Sequence, residues 1–304
     1  MGSPPLMAPV VVVGDLVTDV VARLAERPVP GSDAEATVTV CGGGSGANTA
    51  AWLAAAGADA TLVGRVGDDA TGRERIAELA AAGVRPRLAM DSQRPTGTVV
   101  VLVAADGERT MFPDRGANLA LQPADLPADL FAPGSHLHLS GYALLHPSPR
   151  AAGLHALELA RAAGMTISVD PSSAQPLRRI GAERFLAWTA SADLCLPNRD
   201  EAQVLTGAGD PAEAAAILAG SFRQTVVTLG AGGAVWSDGD QAFRCPAQAG
   251  EVVDTTGAGD AFSAGFLTAW LDAAAPVGAL AAGCRLAARA VTVPGARPPQ
   301  PATR

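Results

Sequence analysis

The 304-residue sequence contains no lysine, and all 22 of its basic residues are arginine. A Walker A loop and a protein kinase each need a lysine that contacts the phosphates of the nucleotide, and a Schiff-base enzyme needs a free amine. The absence of lysine therefore excludes these three mechanisms.

Cysteine, histidine and aromatic residues are also scarce. The four cysteines are far apart without a C-x-x-C pair, and the four histidines show no zinc-ligand spacing, so neither a disulfide framework nor a structural zinc is expected. Aromatic residues make up 4% of the chain. Apart from the single tyrosine, Tyr142, only Phe112 and Trp52 are candidates for stacking on a base, so a sugar or sugar acid is the favoured ligand.

The charge and the apolar segments limit the expected partners. A formal charge of −8 argues against binding to nucleic acid or anionic lipid, both of which require clustered cations. Residues 263–284 form a long apolar run, but Pro276 and Gly278 divide it, which predicts two buried helices and no membrane span. The N-terminus has no pattern of a secretory signal. We therefore expect a cytoplasmic protein.

The order of strands and helices predicts an α/β fold. The β-branched run 10–13 ends at Gly14, which is typical of a buried parallel strand. Helices and strands then alternate, which predicts a three-layer αβα, doubly wound, mostly parallel sheet. The other predicted strands are 38–40, 61–66, 98–103, 109–112, 136–139, 166–169, 193–196 and 225–229, and the predicted helices are 47–56, 71–82, 150–163, 182–189, 211–219 and 261–271.

Two segments interrupt this alternation and predict a small β insertion. They are residues 29–40 and 95–112, and the second contains Asp106-Gly107, a hairpin turn signal. The chain therefore reads as one domain, 8–297, that carries this insertion. The proline-containing tail, 298–304, is predicted to be disordered.

The segment DTTGAGD, residues 254–260, is the first candidate for chemistry. A strand before it and an apolar helix after it would place Gly257, Ala258 and Gly259 at a helix N-terminus, where backbone N–H groups attract an anion. Asp260 could then accept a proton from an attacking hydroxyl. The alternative is a turn in which Asp260 only favours the start of the helix.

The glycine-rich segment CGGGSGANTA, residues 41–50, allows two interpretations. It could let a polyol or a phosphate approach the backbone closely. It also satisfies the dinucleotide fingerprint through Gly42, Gly44 and Ala47, and Arg65 could meet a 2′-phosphate, which would make the protein an NADP-dependent oxidoreductase. Against this, the motif follows the second predicted strand, and no acidic residue closes the next strand.

Together these motifs resemble the ribokinase-like (PfkB) family of carbohydrate kinases. The resemblance covers nearly the whole chain and rests on GDLVTD, GGSGAN, GRVGDDATG, NRDE, TLGAGG and DTTGAGD in this order. It implies an ATP-dependent, magnesium-requiring kinase that phosphorylates a small sugar or sugar acid, similar to ribokinase, fructokinase or 2-keto-3-deoxygluconate kinase. A nucleoside kinase of the same family is the alternative. The β insertion resembles the family's small β-strand lid, and this lid is the expected contact of a homodimer.

The resemblance also implies roles for individual residues. Asp260 would be the catalytic base, and the amides of Gly257, Ala258 and Gly259 would stabilise the transferred charge. The substrate would be bound by Asp19, Gly43, Gly44, Asn48 and Arg115, and the nucleotide by Asn198, Thr228, Gly230 and Gly233. Glu201 would organise Mg²⁺ through water, and potassium would be held by Asp254, Thr256, Ala290, Val293 and Gly295.

Some of these residues have plain structural interpretations as well. Asn198 and Glu201 could have no role beyond starting a helix after Pro197. TLGAGG could likewise be no more than a turn at the end of a strand. Arg94 and Arg109 on the lid could close over a substrate or could be solvated edge charges. Position 299 is a proline, whereas some members of the family have a hydroxyl side chain there, beside the potassium site.

Overall fold

The computed structural model describes residues 8–104, 109–248 and 250–299. The predicted Asp106-Gly107 turn and residues 300–304 of the predicted tail lie outside these ranges. The strands are β1 Val10–Val13, β2 Val17–Leu24, β3 Ala36–Gly43, β4 Ala60–Gly67, β5 Arg85–Asp91, β6 Gly97–Val103, β7 Arg109–Asp114, β8 His136–Ser140, β9 Thr166–Asp170, β10 Leu194–Cys195, β11 Gln224–Thr228, β12 Ala234–Ser237 and β13 Ala242–Cys245. The helices are α1 Ser45–Ala55, α2 Ala70–Ala81, α3 Tyr142–Leu145, α4 Arg150–Ala162, α5 Ala174–Ile180, α6 Ala182–Thr189, α7 Arg199–Thr206, α8 Pro211–Ala219, α9 Ala258–Leu271 and α10 Pro276–Val291.

The main sheet has nine strands in the order β13-β12-β11-β10-β9-β8-β1-β4-β5. All pairs from β11 to β5 are parallel, and the edge strands β12 and β13 are antiparallel. The chain builds outward from β1 first through β4 and β5 and then through β8, so the order of strands reverses between β1 and β8. The predicted doubly wound, mostly parallel sheet is confirmed.

Strand β1 shows why the fold has three layers. Its four valines are buried, and they alternate between two cores: Val10 and Val12 pack with α1, α9 and α10, whereas Val11 and Val13 pack with helices α3 to α8. A central parallel strand is covered on both faces and therefore needs apolar residues at every position.

Two glycines allow helix α1 to begin directly against the end of β1. A Cβ atom on Gly46 would lie 2.7 Å from the Cα atom of Gly14, and a Cβ on Gly14 would lie 2.8 Å from the Cα of Gly46. Both distances are shorter than real carbon contacts, so neither position accepts a larger residue without a shift of the backbone. The close approach brings the first turn of α1 to the edge of the sheet where β1 ends.

A separate four-stranded sheet, in the order β3-β2-β6-β7, forms the lid. Its cross-strand pairs assign residues to two faces: Val40, Val20, Val100 and Phe112 are successive partners in one row, and the next row contains Asp19, aligned with Cys41 and Val99. Val40 and Phe112 are more than half exposed, whereas Asp19 is buried. The lid therefore has an apolar outer face and an inner face directed at the main sheet.

The lid differs from its prediction in two respects. Strand β2, which carries Asp19, was not predicted, and the predicted lid segment 29–40 becomes a strand only from Ala36 onward, where β3 begins. In addition, no strand directly precedes Asp254, since residues 250–257 are irregular. The helix after this motif is present and begins at Ala258.

The apolar run 263–284 is divided between α9 and α10, as its proline predicts. Among the residues that the structure describes, no helix has both the length and the apolar character needed to cross a bilayer.

The contact between Gly14 and Gly46 predicts opposite effects for two helical glycines. Gly278→Ala, on the exposed start of α10 with open space around it, should stabilise the protein by up to about 1 kcal/mol through helix propensity. Gly46→Ala has the same propensity gain but should destabilise by about 1–3 kcal/mol because the new Cβ overlaps Gly14. Urea unfolding measures both; equal effects of the two substitutions would contradict the close packing.

Candidate active site

A pocket of about 900 Å³ lies between the carboxyl ends of the main-sheet strands and the lid. Ligands of doubly wound sheets bind at this edge, where the order of strands reverses. The pocket is lined by Asp15 after β1, Asp170 at the end of β9, and the loop 255–260. Val99, Val101 and Met111 of the lid line the opposite side.

Asp260 lies in the first turn of α9, and helix α1 holds its carboxylate. Ser45 Oγ donates to Oδ1 at 2.9 Å, and Asn48 Nδ2 donates to Oδ2 at 3.0 Å. Burial raises the pKa of Asp260 to about 8, and the nearby Asp170 adds to the increase, while the hydrogen bonds from Asn48 and Ser45 oppose it. The structure thus brings the two glycine-rich motifs together around one carboxylate whose basicity is raised.

The start of α9 presents free backbone donors beside that carboxylate. Gly257 has a φ of 74° and caps the helix, and Ala258 is the first helical residue. Within the described ranges, the N–H groups of Gly257 and Gly259 donate no hydrogen bond. These residues line the pocket, so an anion there would meet free amides and the positive end of the helix dipole.

Asp19 lies on the lid, at the side of the pocket away from the nucleotide candidates. Burial raises its pKa to about 6, with opposing effects of Arg297, which lowers it, and of Asp15 and Asp254, which raise it. A Cβ on Gly43 would lie 2.2 Å from Asp19 Oδ2, so this glycine makes room for the carboxylate. Of the predicted loop residues, Gly44 and Asn48 line the pocket and Gly43 does not.

Arg115 is the arginine of the lid region that lies in the same part of the pocket. Its guanidinium is 3.7 Å from Asp15 and 3.9 Å above the ring of Tyr142. Arg94, by contrast, pairs with Asp91, and Arg109 contacts Thr255 and Thr256.

The segment after α10 contributes a residue that the sequence analysis missed. Arg297 is largely buried and donates to the carbonyl of Gly43 at 2.8 Å and to Asn48 Oδ1 at 3.2 Å. Since Arg297 only donates, it fixes the amide oxygen of Asn48 toward itself and turns the amide nitrogen to Asp260. Burial lowers the pKa of Arg297 to about 10, which leaves it charged at neutral pH.

Asn198 and Glu201 form a reciprocal capping box at the start of α7. Asn198 N and Nδ2 donate to the Glu201 carboxylate at 2.9 and 2.7 Å, and Glu201 N donates to Asn198 Oδ1 at 3.0 Å. Glu201 is nonetheless buried and lines the pocket, and its pKa is raised by burial and by Asp170. The helix start is therefore real, but it directs a carboxylate into the pocket.

The other predicted nucleotide residues divide into two groups. Thr228 lies beside Asn198 in a parallel bridge, and both line the pocket. Gly230 and Gly233 do not line it; they form the tight turn between β11 and β12, where both have positive φ and Leu229 N donates to the Gly233 carbonyl.

The predicted potassium residues do not form an open cation site. The Asp254 carboxylate accepts from Thr256 N and Oγ1 and from Gly295 N, and Arg23 of β2 pairs with it at 2.9 Å. The carbonyl of Ala290 accepts a hydrogen bond from Val293 at the end of α10. A potassium ion does not fit this arrangement, because a guanidinium group already neutralises the carboxylate.

The dinucleotide interpretation of residues 42–47 is wrong. The motif connects a lid strand to α1 and does not follow β1 of the main sheet. Arg65 is engaged by Asp91 and Asp125 at 3.1 and 2.9 Å, so it is not available to a 2′-phosphate.

Comparisons with known proteins identify the family of the chain. A family model described as "pfkB family carbohydrate kinase" matches residues 7–303. The chain is 36% identical to a fructokinase from Klebsiella pneumoniae, over 84% of this chain and 82% of that protein. It is 33% identical to an ATP-dependent ribose-1-phosphate kinase from Halopiger xanaduensis, over 80% and 79%.

Among solved structures, the adenosine kinase from Sinorhizobium meliloti superposes with a TM-score of 0.88, at 28% identity and with 96% of each chain covered. The family match over nearly the whole length and the two relatives above 30% identity lead to one conclusion: this chain belongs to the pfkB family of carbohydrate kinases, enzymes that transfer a phosphoryl group to a sugar hydroxyl.

Proposed function

We propose that the protein is an ATP-dependent kinase that transfers the γ-phosphoryl group to a hydroxyl of a small sugar or sugar acid. The observation that carries this proposal is the Asp260 carboxylate, with its raised pKa, beside the free amides of Gly257 and Gly259. A proton acceptor and an anion site at the same helix start are what phosphoryl transfer to a hydroxyl requires.

The chemistry follows from these positions. A sugar hydroxyl directed at Asp260 loses its proton to the carboxylate as its oxygen forms a bond to the γ-phosphorus. The bond between the γ-phosphorus and the bridging oxygen of the β-phosphate breaks, and ADP leaves with its electron pair. The amides of Gly257 and Gly259 stabilise the charge on the transferred group, and these donors are already fixed before the reaction. The third predicted amide, Ala258 N, instead donates to the Thr255 carbonyl at 3.3 Å. No lysine is needed for this mechanism.

Among the described residues, no group of three or more His, Cys, Asp or Glu side chains is placed to hold a metal ion directly, so magnesium would be organised by few carboxylates and through water. Asp170, Glu201 and Asp260 form no ion pair within the described part of the chain. Burial raises the pKa of Glu201 and of Asp170, and the charge of Asp170 adds to the first increase and that of Asp15 to the second. Mg²⁺ prefers oxygen ligands and keeps several waters, so Glu201, whose oxygens already accept from Asn198, would act through water. The ion supplies charge neutralisation to the phosphates of ATP.

The two ends of the pocket support a division between nucleotide and sugar. We assign the nucleotide to the end with Asn198 and Thr228, and the sugar to the end with Asp15, Asp19 and Arg115, where carboxylates can accept from hydroxyls. The likeness to an adenosine kinase keeps a nucleoside as the second candidate. Against it, among the described residues that line the pocket, Tyr142 is the single Phe, Tyr or Trp side chain, and Arg115 covers one face of its ring.

Two further predictions concern the whole protein. The exposed Val40, Val100 and Phe112 on the outer face of the lid support a homodimer formed through the lid. The kinase domain 8–297 and the cytoplasmic location stay predictions.

The substrate assignment is tested by an ADP-release screen over pentoses, hexoses, keto-deoxy acids and nucleosides. We expect turnover with a sugar or sugar acid, because the pocket offers carboxylates and an arginine in place of stacking surfaces. Preference for a nucleoside by kcat/KM would select the second candidate.

Asp260→Asn should lower kcat roughly 100- to 10,000-fold at every pH while ATP affinity is retained, because only proton acceptance is lost. In the wild type, kcat/KM should fall as the pH decreases below about 8, since protonation of a carboxyl with a raised pKa removes the base. Ser45→Ala removes a donor to the charged form and should move this limb to higher pH. Near-normal turnover of Asp260→Asn would refute the base assignment.

We also propose that Arg23 supplies the positive charge that a potassium ion would bring to Asp254. Wild-type turnover should then be equal in potassium and sodium, whereas Arg23→Gln should lose activity in sodium and regain part of it in potassium. Arg73→Gln, which breaks an exposed ion pair with Asp68, is the matched control and should behave as wild type. Strong potassium activation of the wild-type enzyme would contradict the proposal that Arg23 takes the place of a potassium ion.

A further inference from the structure

A second cavity, of about 390 Å³, lies beside the main pocket and is bordered by helices α3 to α6. His146, Pro176 and Arg179 line both cavities, so the two share a wall. The second cavity is also lined by Arg150, Arg184 and the ring of Trp188, and no carboxylate lines it. Its volume is in the range of small-molecule sites.

Three arginines face this cavity without a counter-charge. Arg150, Arg179 and Arg184 form no ion pair within the part of the chain that the structure describes, although the chain carries a net charge of −8. Clustered cations repel one another, and this chain offers many carboxylates that could pair with them. Some other exposed arginines, such as Arg161 and Arg178, also form no ion pair in the described part of the chain, but these three line one cavity together. An anionic ligand in this cavity would neutralise the three unpaired guanidinium groups.

Arg150 is preorganised, and His146 offers a second polar group to the cavity. Arg150 Nε donates to the carbonyl of Leu144 at 2.9 Å, and its guanidinium lies 4.4 Å above the ring of Trp188, which holds the group in place and leaves its outer N–H groups free for a ligand. His146 Nε2 is buried and has no hydrogen-bond partner among the described residues. Burial is the main cause that lowers the pKa of His146, and the charges of Arg115, Arg179 and Arg150 lower it further. The ring therefore stays neutral and can donate from one nitrogen.

We propose that this second cavity binds the phosphomonoester group of a small molecule, through Arg150, Arg179 and Arg184. Guanidinium groups match phosphate oxygens in bidentate geometry, which suits a dianion better than a neutral sugar. The phosphate has two possible sources. The first source is the sugar substrate itself, whose phosphate would reach across the shared wall at Arg179; this alternative rests on the proposed kinase function. The second source is a separate phosphorylated effector.

Calorimetry with inorganic phosphate tests the site itself. A non-hydrolysable ATP analogue with Mg²⁺ is included to fill the nucleotide end and its anion site. The double variant Arg179→Gln/Arg184→Gln should weaken phosphate binding at least about tenfold, which is a loss of about 1.4 kcal/mol. Arg178→Gln is the matched control, because Arg178 is an exposed neighbour on α5 that does not line the cavity, and it should bind as wild type.

Both test residues are exposed, so the double variant should fold, and thermal unfolding verifies this. Equal phosphate affinity in the wild type and the double variant, or no binding to the wild type at about 10 mM phosphate, would overturn the proposal. This readout does not depend on turnover, so it stays interpretable even if the kinase assignment fails.

Kinetics then separate the two sources. If the phosphate belongs to the substrate, the double variant should lower kcat/KM for a sugar monophosphate at least about tenfold more than it lowers kcat/KM for the corresponding neutral sugar. If it belongs to an effector, inorganic phosphate should change the kinetics of the neutral sugar in the wild type and not in the double variant. A double variant that matches the wild type in both comparisons would refute a functional role of the cavity.

Discussion

The hydrogen bonds between helix α1 and the Asp260 carboxylate are the constraint on which the site depends. Asp260 is half-buried near other carboxylates, so its charged form requires donors, and Ser45 and Asn48 provide them from a helix more than 200 residues earlier. Asn48 can donate in this direction because Arg297 fixes its oxygen. The basicity of one carboxylate is thus set by three distant segments, and a shift of any of them changes the pKa of Asp260.

Glycines make this arrangement possible by removing side chains where backbones must meet. Gly14 and Gly46 let α1 begin at the end of β1, and Gly43 leaves space for the Asp19 carboxylate. A glycine-rich loop is often interpreted as a surface for a ligand. Here a large part of the motif is explained by packing, because Gly43 does not line the pocket and Gly46 is buried against Gly14.

The sequence predicted the elements that have strong local signals. The valine run of β1, the start of α9 and the alternation of the central strands depend on short-range patterns, and the structure agrees with them. Strand β2 was missed because its partners, β3 and β6, are provided by the tertiary fold: Asp19 aligns with Cys41 and Val99. Asp170, Asp15 and Arg297 are single residues without a repeating pattern, so only the sheet order and the packing bring them to the site.

The lid and the anion site are physically connected, which links the position of one to the geometry of the other. Arg23 and Arg109 extend from lid strands to Asp254 and to Thr255 and Thr256, directly before Gly257. If the lid moves away, these contacts break, and the loop loses the charges that hold it against the start of α9. Since the inner face of the lid also carries Asp19, a sugar that contacts Asp19 would favour the lid position in which the phosphate-binding amides are ordered. Binding energy at the sugar end can in this way organise the site of phosphoryl transfer.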